Sequence, residues 1–534
     1  MNSLDKRLAA LTPDVLSNLR RGIEKEGLRV RIDGTLADTP HPAGLGSALT
    51  HPHITTDFSE SQLELITGVH ADVDACLAEL TEIHRVVYRH LGEELLWCTS
   101  MPCKLPDEDQ IPLGQYGTAN VGRLKTVYRQ GLAHRYGRRM QTISGIHYNF
   151  SLPEAAWPML QEADGDRSPA DGYQDRGYFA LIRNFRRHSW LLLLLLGASP
   201  AVCGTFLAGR VHRLTPWETG TYIAPYGTSL RMGGLGYQSD AQASLAVSFN
   251  CLKSYAVSLN RALTETYPPY AAIGVNDGAN YRQLSTSLLQ IENEFYGTIR
   301  PKQRIRRGER PLRALGERGV EYVEVRLVDV NPFHPVGISA DEMRLLDIFL
   351  LHCLLSGSPD DSPQEIAADS LNQHLVAERG RDPDLRLDRG GMPIAPAEWG
   401  AGMLGDCEPI AAALDAACGD GAYGRVLAAA RAALEDPDSL PSARVLHAAE
   451  HSFGKSFPGF ALAQSLRHRR ALLDLPLAAD VAARYARMAE ESLVAQREIE
   501  AADTIPFETY RQQYLAQDLM SGAHFQSMSG EKSR

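Results

Sequence analysis

Strict alternation of apolar and polar residues in the stretch EYVEVRLVD most constrains how this chain can fold. Side chains point to opposite faces along a β-strand, so Val323 and Leu327 are predicted on one face and Glu324 and Arg326 on the other. A strand face that carries an acid and a base either meets water, as in many antiparallel sheets, or lines a site. The stretch alone leaves both possibilities open.

Three further segments place apolar residues on one face and acidic or imidazole groups on the other. Their polar groups are Glu24 and Glu26 in GIEKEGLRV, Asp57 and Glu64 in DFSESQLELIT, and His147 in GIHYNF. Carboxylates repel one another at short range, so these strands would need a cation if they joined one sheet. A hard divalent ion suits oxygen ligands, which predicts Mg²⁺, with Mn²⁺ as an alternative. No cysteine or HExxH motif accompanies the set, which disfavours zinc.

Basic residues offer the other half of a site that handles anions. Arg231 precedes a Gly-rich bend in LRMGGLGYQ, and Arg300 and Lys302 lie in TIRPKQRIRR. Arginine binds carboxylates and phosphates through its planar fork of donors. Metal-binding carboxylates beside arginines suit an ATP-dependent ligase, because the metal bridges phosphates while the cations stabilise the transferring group. A solvated basic loop is the alternative for the segment after residue 300.

Neither familiar nucleotide-binding motif is present, although two stretches imitate them. FGKSF ends like a P-loop, but Ala449 stands where that motif needs its first glycine. GGLGYQ differs from GxGxxG and lacks a βαβ setting. If the chain binds ATP, we therefore expect another kind of fold to hold it.

Composition and charge disfavour several classes of protein. The formal charge of −11 over 534 residues argues against general nucleic-acid binding, which needs a basic surface. The eight cysteines are scattered without a CxxC motif, which favours reduced thiols in the cytoplasm, although Cys98 and Cys103 are close enough to pair. The N-terminus has no secretory signal.

One uncharged stretch, residues 190–209, imitates a membrane span in length. The Gly-Ala-Ser-Pro at 197–200 would break a helix after about two turns. We therefore expect a buried helix, a turn and a second buried segment, and no membrane partner.

The element patterns predict an α+β fold in two regions. A polar connector separates a mixed catalytic core, 1–355, from an Ala- and Leu-rich helical region, 356–520, that packs on the core as part of one structural unit. Residues 521–534 are predicted to be a disordered tail. Within the core, the patterns predict helices over 72–91, 122–136, 178–196 and 242–266, and a loop or lid over the charged stretch 302–319.

A series of long stretches, taken in order, resembles one protein family. They are GIEKEGLRV, HPAGLGSALTHPHITTDFSESQLELIT, SMPC, QYGTANVGRLKTVYRQGL, RYGRRMQTISGIHYNFSLP, LGASPAVC, PYGTSLRMGGLGYQ, LQIENEFYGTIRPK and GVEYVEVRLVDVNPF. The family is the proteobacterial type of glutamate–cysteine ligase. The resemblance runs from about Arg21 to Pro335 and continues more weakly toward the C-terminus. The segment HAAEHSFGKSF departs from the family's usual Gly-rich run.

The resemblance implies both a fold and a reaction. The fold is a glutamine-synthetase-like core, in which a curved antiparallel sheet forms a funnel surrounded by helices, with a helical C-terminal third. In the reaction, ATP phosphorylates the γ-carboxylate of L-glutamate, and the amine of L-cysteine attacks the γ-glutamyl phosphate. The products are γ-glutamylcysteine, ADP and phosphate, in the first step of glutathione biosynthesis. The polar strand faces would then line the funnel.

The resemblance also implies roles by position. Metal ions would be held by Glu24, Glu26, Asp57, Glu64, His147 and Glu324. Arg231 would bind the glutamate α-carboxylate. Arg326, with Glu324 and His147, would act at the γ-carboxylate or the transferring phosphate, and His147 is open between ligand, pocket wall and proton carrier.

The remaining roles concern the amine substrate and ATP. Tyr128, Tyr237 and Tyr296 would line the pocket for the cysteine side chain. Arg300 and Lys302 are candidates for the ATP phosphates. Feedback inhibition by glutathione is an expectation from the family, and the chain is expected to be a monomer.

Two other functions are compatible with these residues. The same core could ligate glutamate to another amine, because one sequence does not fix the acceptor. A non-catalytic sensor of amino acids or nucleotides would keep the fold, but such proteins usually lose the charged metal ligands that this chain retains.

Overall fold

The computed structural model describes residues 2–218, 220–236, 240–243, 245, 247–278 and 280–526. The strands are β1 Arg20–Val30, β2 Ile54–Thr56, β3 Gln62–Ile66, β4 Leu95–Leu96, β5 Ile146–Ser151, β6 Ala201–Cys203, β7 Thr215–Pro216, β8 Thr221–Ile223, β9 Ile299–Lys302, β10 Tyr322–Val328, β11 Leu387–Arg389 and β12 Met392–Ile394. The α-helices are α1 Ser3–Ala10, α2 Pro13–Ser17, α3 Val73–His90, α4 Asn120–Tyr136, α5 Ala156–Asp164, α6 Ala170–His188, α7 Trp190–Leu196, α8 Gly204–Leu207, α9 Asp240–Ala243, α10 Leu252–Thr264, α11 Pro268–Ile273, α12 Pro311–Arg318, α13 Ala340–Leu355, α14 Pro363–Arg379, α15 Pro396–Asp406, α16 Glu408–Cys418, α17 Ala422–Glu435, α18 Pro441–Phe453, α19 Phe457–Asp474, α20 Ala479–Ala501, α21 Phe507–Leu515 and α22 Ala523–Gln526.

Antiparallel pairing joins seven strands into the main sheet. Their order is β2-β3-β1-β5-β10-β9, and β4 pairs with the end of β1. The register sets Glu24 opposite His147 and Glu26 opposite Glu64. Because directly opposed side chains on neighbouring strands lie about 4.5–5.5 Å apart at Cβ, these polar groups crowd together on one face of the sheet.

The opposite face of this sheet is mainly apolar and packs on helices. Ile23, Ile146, Val323 and Leu327 are buried in the main core cluster. Helices α3, α6 and α7 contact the strands of the sheet, and α13 packs on α3 and α6. The alternation predicted for EYVEVRLVD is confirmed, with its apolar side chains in the core.

The predicted helices are confirmed in part. Those over 72–91 and 122–136 are α3 and α4. The helix expected over 178–196 is two helices that meet at Ser189. The helix expected over 242–266 is not continuous: residues 242 and 243 belong to α9, and a capping box of Cys251 and Ser254 starts α10 only at Leu252.

Two further predictions within the core concern a charged stretch and an uncharged stretch. The charged stretch 302–319 contains α12, whose first turn holds Pro311, so it is not a simple loop. The stretch 190–209 is buried as predicted up to residue 207, since α7 is followed by a turn and then by β6 and α8, and only its last two residues are exposed. Among the described helices, none is long and apolar enough to cross a membrane.

All eight cysteines are free thiols, so the suspected pairing of Cys98 with Cys103 is wrong.

The helical C-terminal region shares the main core cluster with the sheet. Leu404, Leu414 and Tyr423 are buried in this cluster, and α19 contacts α3. Near the C-terminus, α22 buries Phe525 and packs on α12, so structure extends beyond the point where the tail was predicted to begin. Residues 527–534 of that tail lie outside the described residues. The division into 1–355 and 356–520 stays a prediction.

Candidate active site

Carboxylates and an imidazole meet on the polar face of the main sheet. One oxygen each of Glu24 and Glu64 and one ring nitrogen of His147 lie within 4.8 Å of one another. His147 Nδ1 is 3.2 Å from Glu24 Oε2, and its Nε2 is 3.5 Å from Glu26 Oε1. The strands β1, β3 and β5 therefore bring together groups that the sequence placed on separate polar faces.

The crowding changes how these acids ionise. Burial, together with the charges of Glu24, Asp57 and Glu26, raises the pKa of Glu64 well above its usual range. Burial and the charge of Asp57 also raise the pKa of Glu26. Burial opposes ionisation of Glu24 as well, but its hydrogen bond with His147 brings the pKa of Glu24 below the usual value. The carboxylates of the cluster therefore repel one another, and a bound cation would stabilise them.

The donor set fits a hard divalent cation, because carboxylate oxygens predominate in it. Asn149 adds a further oxygen beside the cluster. Its Nδ2 donates to Glu24 Oε1 at 3.0 Å, while its buried Oδ1 accepts no hydrogen bond from the described residues. A buried acceptor without a partner is costly, and a cation or a water molecule bound to that cation would satisfy it. The Mg²⁺ site stays a prediction that these residues fit.

Glu324 lies beside the cluster and is paired with two cations. Its Oε1 accepts from Lys302 Nζ at 2.9 Å and its Oε2 from Arg326 Nη1 at 3.0 Å. Although burial opposes ionisation, Lys302 and Arg326 hold the pKa of Glu324 well below its usual range. Arg326 Nη1 also lies 3.5 Å from His147 Nδ1. Each oxygen of Glu324 accepts one of these hydrogen bonds and keeps a second lone-pair site, so the two pairs are compatible with a role as a metal ligand.

Arg300 is held by backbone carbonyls of the short 3₁₀ turn that precedes β9. Its Nη2 donates to the carbonyl of Asn293 at 2.9 Å and also to that of Phe295. Burial and the nearby Arg326 lower the pKa of Arg300 to about 10. Arg300 and Lys302 thus place two basic groups on β9, and their contact with ATP phosphates stays a prediction.

Arg231 is buried and held beside Arg326. Its Nη2 donates to the backbone carbonyl of Arg326 at 2.6 Å, and its Nη1 lies 3.9 Å from Asp329 Oδ1. Asp329 is fixed in turn, since it accepts hydrogen bonds from Ser229 Oγ and from the Ala198 N–H, each at 2.9 Å. Arg231 and Arg326 both line a cavity of 540 Å³, a size typical of small-molecule sites.

Tyrosines form one wall of this region. Tyr296 lines the cavity, and its hydroxyl accepts a hydrogen bond from Gln141 Nε2 at 2.8 Å. The ring of Tyr136 meets Tyr296 edge-on, with ring centroids 5.5 Å apart. Tyr128 is close enough to Tyr296 to influence its ionisation, and burial keeps the pKa of Tyr296 well above its usual value. Tyr237 lies outside the described residues.

Sequence reasoning missed residues that hold the others in place. They are Asn149, which binds Glu24; Asp329, which faces Arg231; and Gln141 and Tyr136, which contact Tyr296. Alternation does place Asn149 on the same strand face as His147, but the pattern assigned it no role in the site. Gln141 lies in a short 3₁₀ turn before β5, where no periodicity marks it.

The sequence of this chain is similar to those of known proteins over most of its length. A family model for glutamate-cysteine ligase matches residues 6–376. The chain belongs to the glutamate–cysteine ligase family. A glutamate–cysteine ligase of Azotobacter vinelandii is 49% identical over 96% of this chain and 98% of its own length. One of Alcanivorax borkumensis is 46% identical over 96% of this chain and 100% of its own length.

Solved structures agree with this family assignment. The glutamate–cysteine ligase of Francisella tularensis, determined in complex with AMP, matches with a TM-score of 0.88 and 36% identity over 93% of this chain and 97% of that one. A bifunctional glutathione synthetase from Pasteurella multocida matches with a TM-score of 0.69 and 25% identity, over 91% of this chain and 57% of that one. The predicted fold class, that of the glutamate–cysteine ligases, is thereby confirmed.

Proposed function

We propose that this chain joins the γ-carboxylate of L-glutamate to the amine of L-cysteine by way of γ-glutamyl phosphate, with ATP as co-substrate. One observation carries the proposal: on one face of the sheet, a carboxylate–imidazole cluster lies beside two arginines that line a cavity. The AMP bound to the Francisella relative supports a nucleotide site here. A γ-carboxylate oxygen attacks the terminal phosphorus and ADP leaves; the amine then attacks the acyl carbon, phosphate leaves and the amine gives up a proton.

The carboxylate cluster is the proposed site for Mg²⁺ or Mn²⁺. Glu24, Glu64 and His147 are the closest set, and the other proposed ligands are Glu26, Asp57 and Glu324. A bound divalent ion would supply stabilisation of negative charge on the phosphate oxygens. The raised pKa of Glu64 supports this assignment, because an arriving cation would relieve the repulsion that causes it.

Each of the two cavity arginines is proposed to bind one carboxylate of the glutamate substrate. Arg231, held by Asp329 and by the Arg326 carbonyl, offers a preorganised guanidinium for the α-carboxylate. Arg326 lies between Glu324 and His147, next to the cluster, where it would meet the γ-carboxylate. Negative charge develops on oxygen in both chemical steps, and a guanidinium fixed beside that oxygen stabilises the charge.

Aromatic rings are proposed to contact the thiol group of the amine substrate. Tyr128 and Tyr296 are the described members of the proposed cysteine pocket, and Tyr237 is the third. Sulfur makes favourable contacts with aromatic rings. The raised pKa of Tyr296 keeps its hydroxyl neutral, so no phenolate would repel the substrate carboxylate. Arg300 and Lys302 are the proposed contacts for ATP phosphates.

We also propose where the enzyme acts, its oligomeric state and how it is inhibited. The reaction uses ATP and a free thiol, and all eight cysteines of the chain are themselves unpaired, which suits a reducing cytoplasm. We expect a monomer, which sedimentation would test, and inhibition by glutathione, which a dose series in the activity assay would test.

Phosphate release tests the proposed reaction. Purified protein is given ATP, Mg²⁺ and L-glutamate, with L-cysteine, 2-aminobutyrate or other amines in parallel. Release that L-cysteine drives best supports the proposal. Release that another amine drives better would assign a different acceptor to the same core. ATP binding without release under any condition would favour a sensor.

A further inference from the structure

Lys125 on α4 differs from the arginines of the same helix. Each arginine has a clear partner: Arg123 stacks on Phe507 at 4.5 Å, Arg129 binds the carbonyl of Asp57, and Arg135 pairs with Glu294 at 2.8 Å. Lys125 Nζ stands 5.1 Å above the centroid of the Tyr116 ring. Within the described part of the chain, no hydrogen bond or ion pair joins Nζ to another residue. Lys125 is therefore a cation that has no anionic partner among the described residues.

The surroundings of Lys125 place it at the edge of the candidate active site. Burial and the neighbouring Arg129 lower the pKa of Lys125 to about 8, while the charge of Glu64 opposes this shift. Tyr116, beneath both Lys125 and Arg129, donates a hydrogen bond to the carbonyl of Asp57 at 2.8 Å. The ammonium is thus partly desolvated, and it lies within electrostatic range of a proposed metal ligand.

Helix geometry sets Lys125 beside the proposed cysteine pocket. Lys125 and Tyr128 are three residues apart on α4, so their Cβ atoms are about 5–6 Å apart on one side of the helix. In cysteine, the sulfur and the carboxyl group are separated only by the β- and α-carbons. A cysteine whose sulfur contacts Tyr128 therefore has its carboxylate within reach of a long, flexible side chain one helical turn earlier.

We propose that Lys125 binds the α-carboxylate of the amine substrate and so makes the site specific for an α-amino acid over a simple amine. The inference rests on the proposed function. Arg231 and Arg326 are assigned to glutamate, which leaves the second amino acid without a cation until Lys125 is counted. An ammonium paired with a carboxylate in a partly buried position forms a charge-assisted hydrogen bond.

The position of Lys125 favours a substrate carboxylate over an ATP phosphate. Lys125 lies one helical turn from Tyr128 of the proposed cysteine pocket, whereas the proposed phosphate contacts Arg300 and Lys302 lie on β9. The anion expected at Lys125 is therefore that of the amine substrate.

Comparing L-cysteine with cysteamine, which has the same thiol and amine but no carboxylate, tests the proposal. Lys125→Met should raise KM for L-cysteine about 10- to 100-fold, the loss expected for a hydrogen bond between charged groups. KM for cysteamine, for L-glutamate and for ATP should change by less than about threefold. Lys125→Arg, which keeps the charge, should recover most of the affinity for L-cysteine. Arg123→Met, on the exposed part of the same helix, is the matched control and should leave every KM unchanged.

Several results would overturn the proposal. An equal rise in KM for both amines would show a structural role, and a rise in KM for ATP would show a phosphate contact. If Lys125→Met does not fold by circular dichroism, Lys125→Gln is used for the same comparison. Wild-type protein that binds L-cysteine no better than cysteamine would also contradict it. Wild-type protein that releases no phosphate with either amine would instead contradict the proposed function.

Discussion

Glu64 is a residue that we expect to lower the stability of the metal-free protein and yet to serve the reaction. It lies opposite Glu26 in the sheet and shares a small space with Glu24, and no described cation pairs with it. Burial and like charges together raise its pKa. A divalent ion in this space would convert repulsion among three acids into attraction toward one centre.

Glu64→Gln should separate stability from activity. We expect phosphate release to fall by about 10²–10³-fold, the usual effect of removing one electrostatic contact from an active site. The free energy of unfolding without metal should not decrease, because the change removes like-charge repulsion. The rise in melting temperature on adding Mg²⁺ should shrink. Glu93→Gln, at an exposed position, is the control, and loss of folded structure in Glu64→Gln alone would indicate a structural role.

The same residue predicts a dependence of stability on pH. Because the pKa of Glu64 is raised in the folded protein, the folded state keeps a proton that the unfolded chain loses above about pH 4.3. Stability of the metal-free protein should therefore fall as pH rises above that value, with Glu26 acting in the same direction. Glu24 and Glu324, whose pKa values are lowered, act in the opposite direction and lose their contribution as pH falls.

Denaturant unfolding in EDTA at several pH values measures this dependence. The free energy of unfolding of Glu64→Gln, minus that of the wild type, should grow as pH rises through the range above 4.3. Excess Mg²⁺ should reduce the difference. A difference that stays constant with pH would show that Glu64 ionises normally in the folded protein.

At the scale of elements, β1 links the site to the helices behind it. Its polar face carries Glu24 and Glu26, while Arg21, near its start, pairs with Asp347 of α13 at 3.0 Å, with both side chains buried. Tyr148 on β5 also donates to Asp347, at 2.7 Å. One buried carboxylate therefore fixes β1 and β5, the strands that carry Glu24, Glu26 and the site histidine.

Asp347→Ala should be strongly destabilising. It leaves Arg21 buried and without its charged partner, and breaking a buried pair in this way costs about 3–5 kcal/mol of unfolding free energy. The double change Arg21→Met with Asp347→Leu should recover most of this loss, because it leaves no unpaired charge. Urea unfolding measures both. A double variant as unstable as the single one would show that the pair contributes more than charge compensation.

At the scale of the whole molecule, strand alternation predicted the site better than helix patterns predicted helix ends. Glu24, Glu64 and His147 came from period-2 patterns, and the register brings them together. The helix ends at Ser189 and Cys251 were missed, because a capping box and a short break leave little trace in apolar periodicity. Asp329 and Gln141, which hold Arg231 and Tyr296, contact them from distant segments of the chain, and periodicity does not encode such contacts.

Transfer of oxygen from glutamate to phosphate tests the central claim most directly. L-glutamate labelled with ¹⁸O in its γ-carboxylate is incubated with the protein, ATP, Mg²⁺ and L-cysteine, and the mass of the released phosphate is measured. A γ-carboxylate oxygen that attacks phosphorus leaves with the phosphate when the amine displaces it, so each phosphate should carry one labelled oxygen. Unlabelled phosphate would contradict the account, because glutamate would not have been activated by phosphorylation.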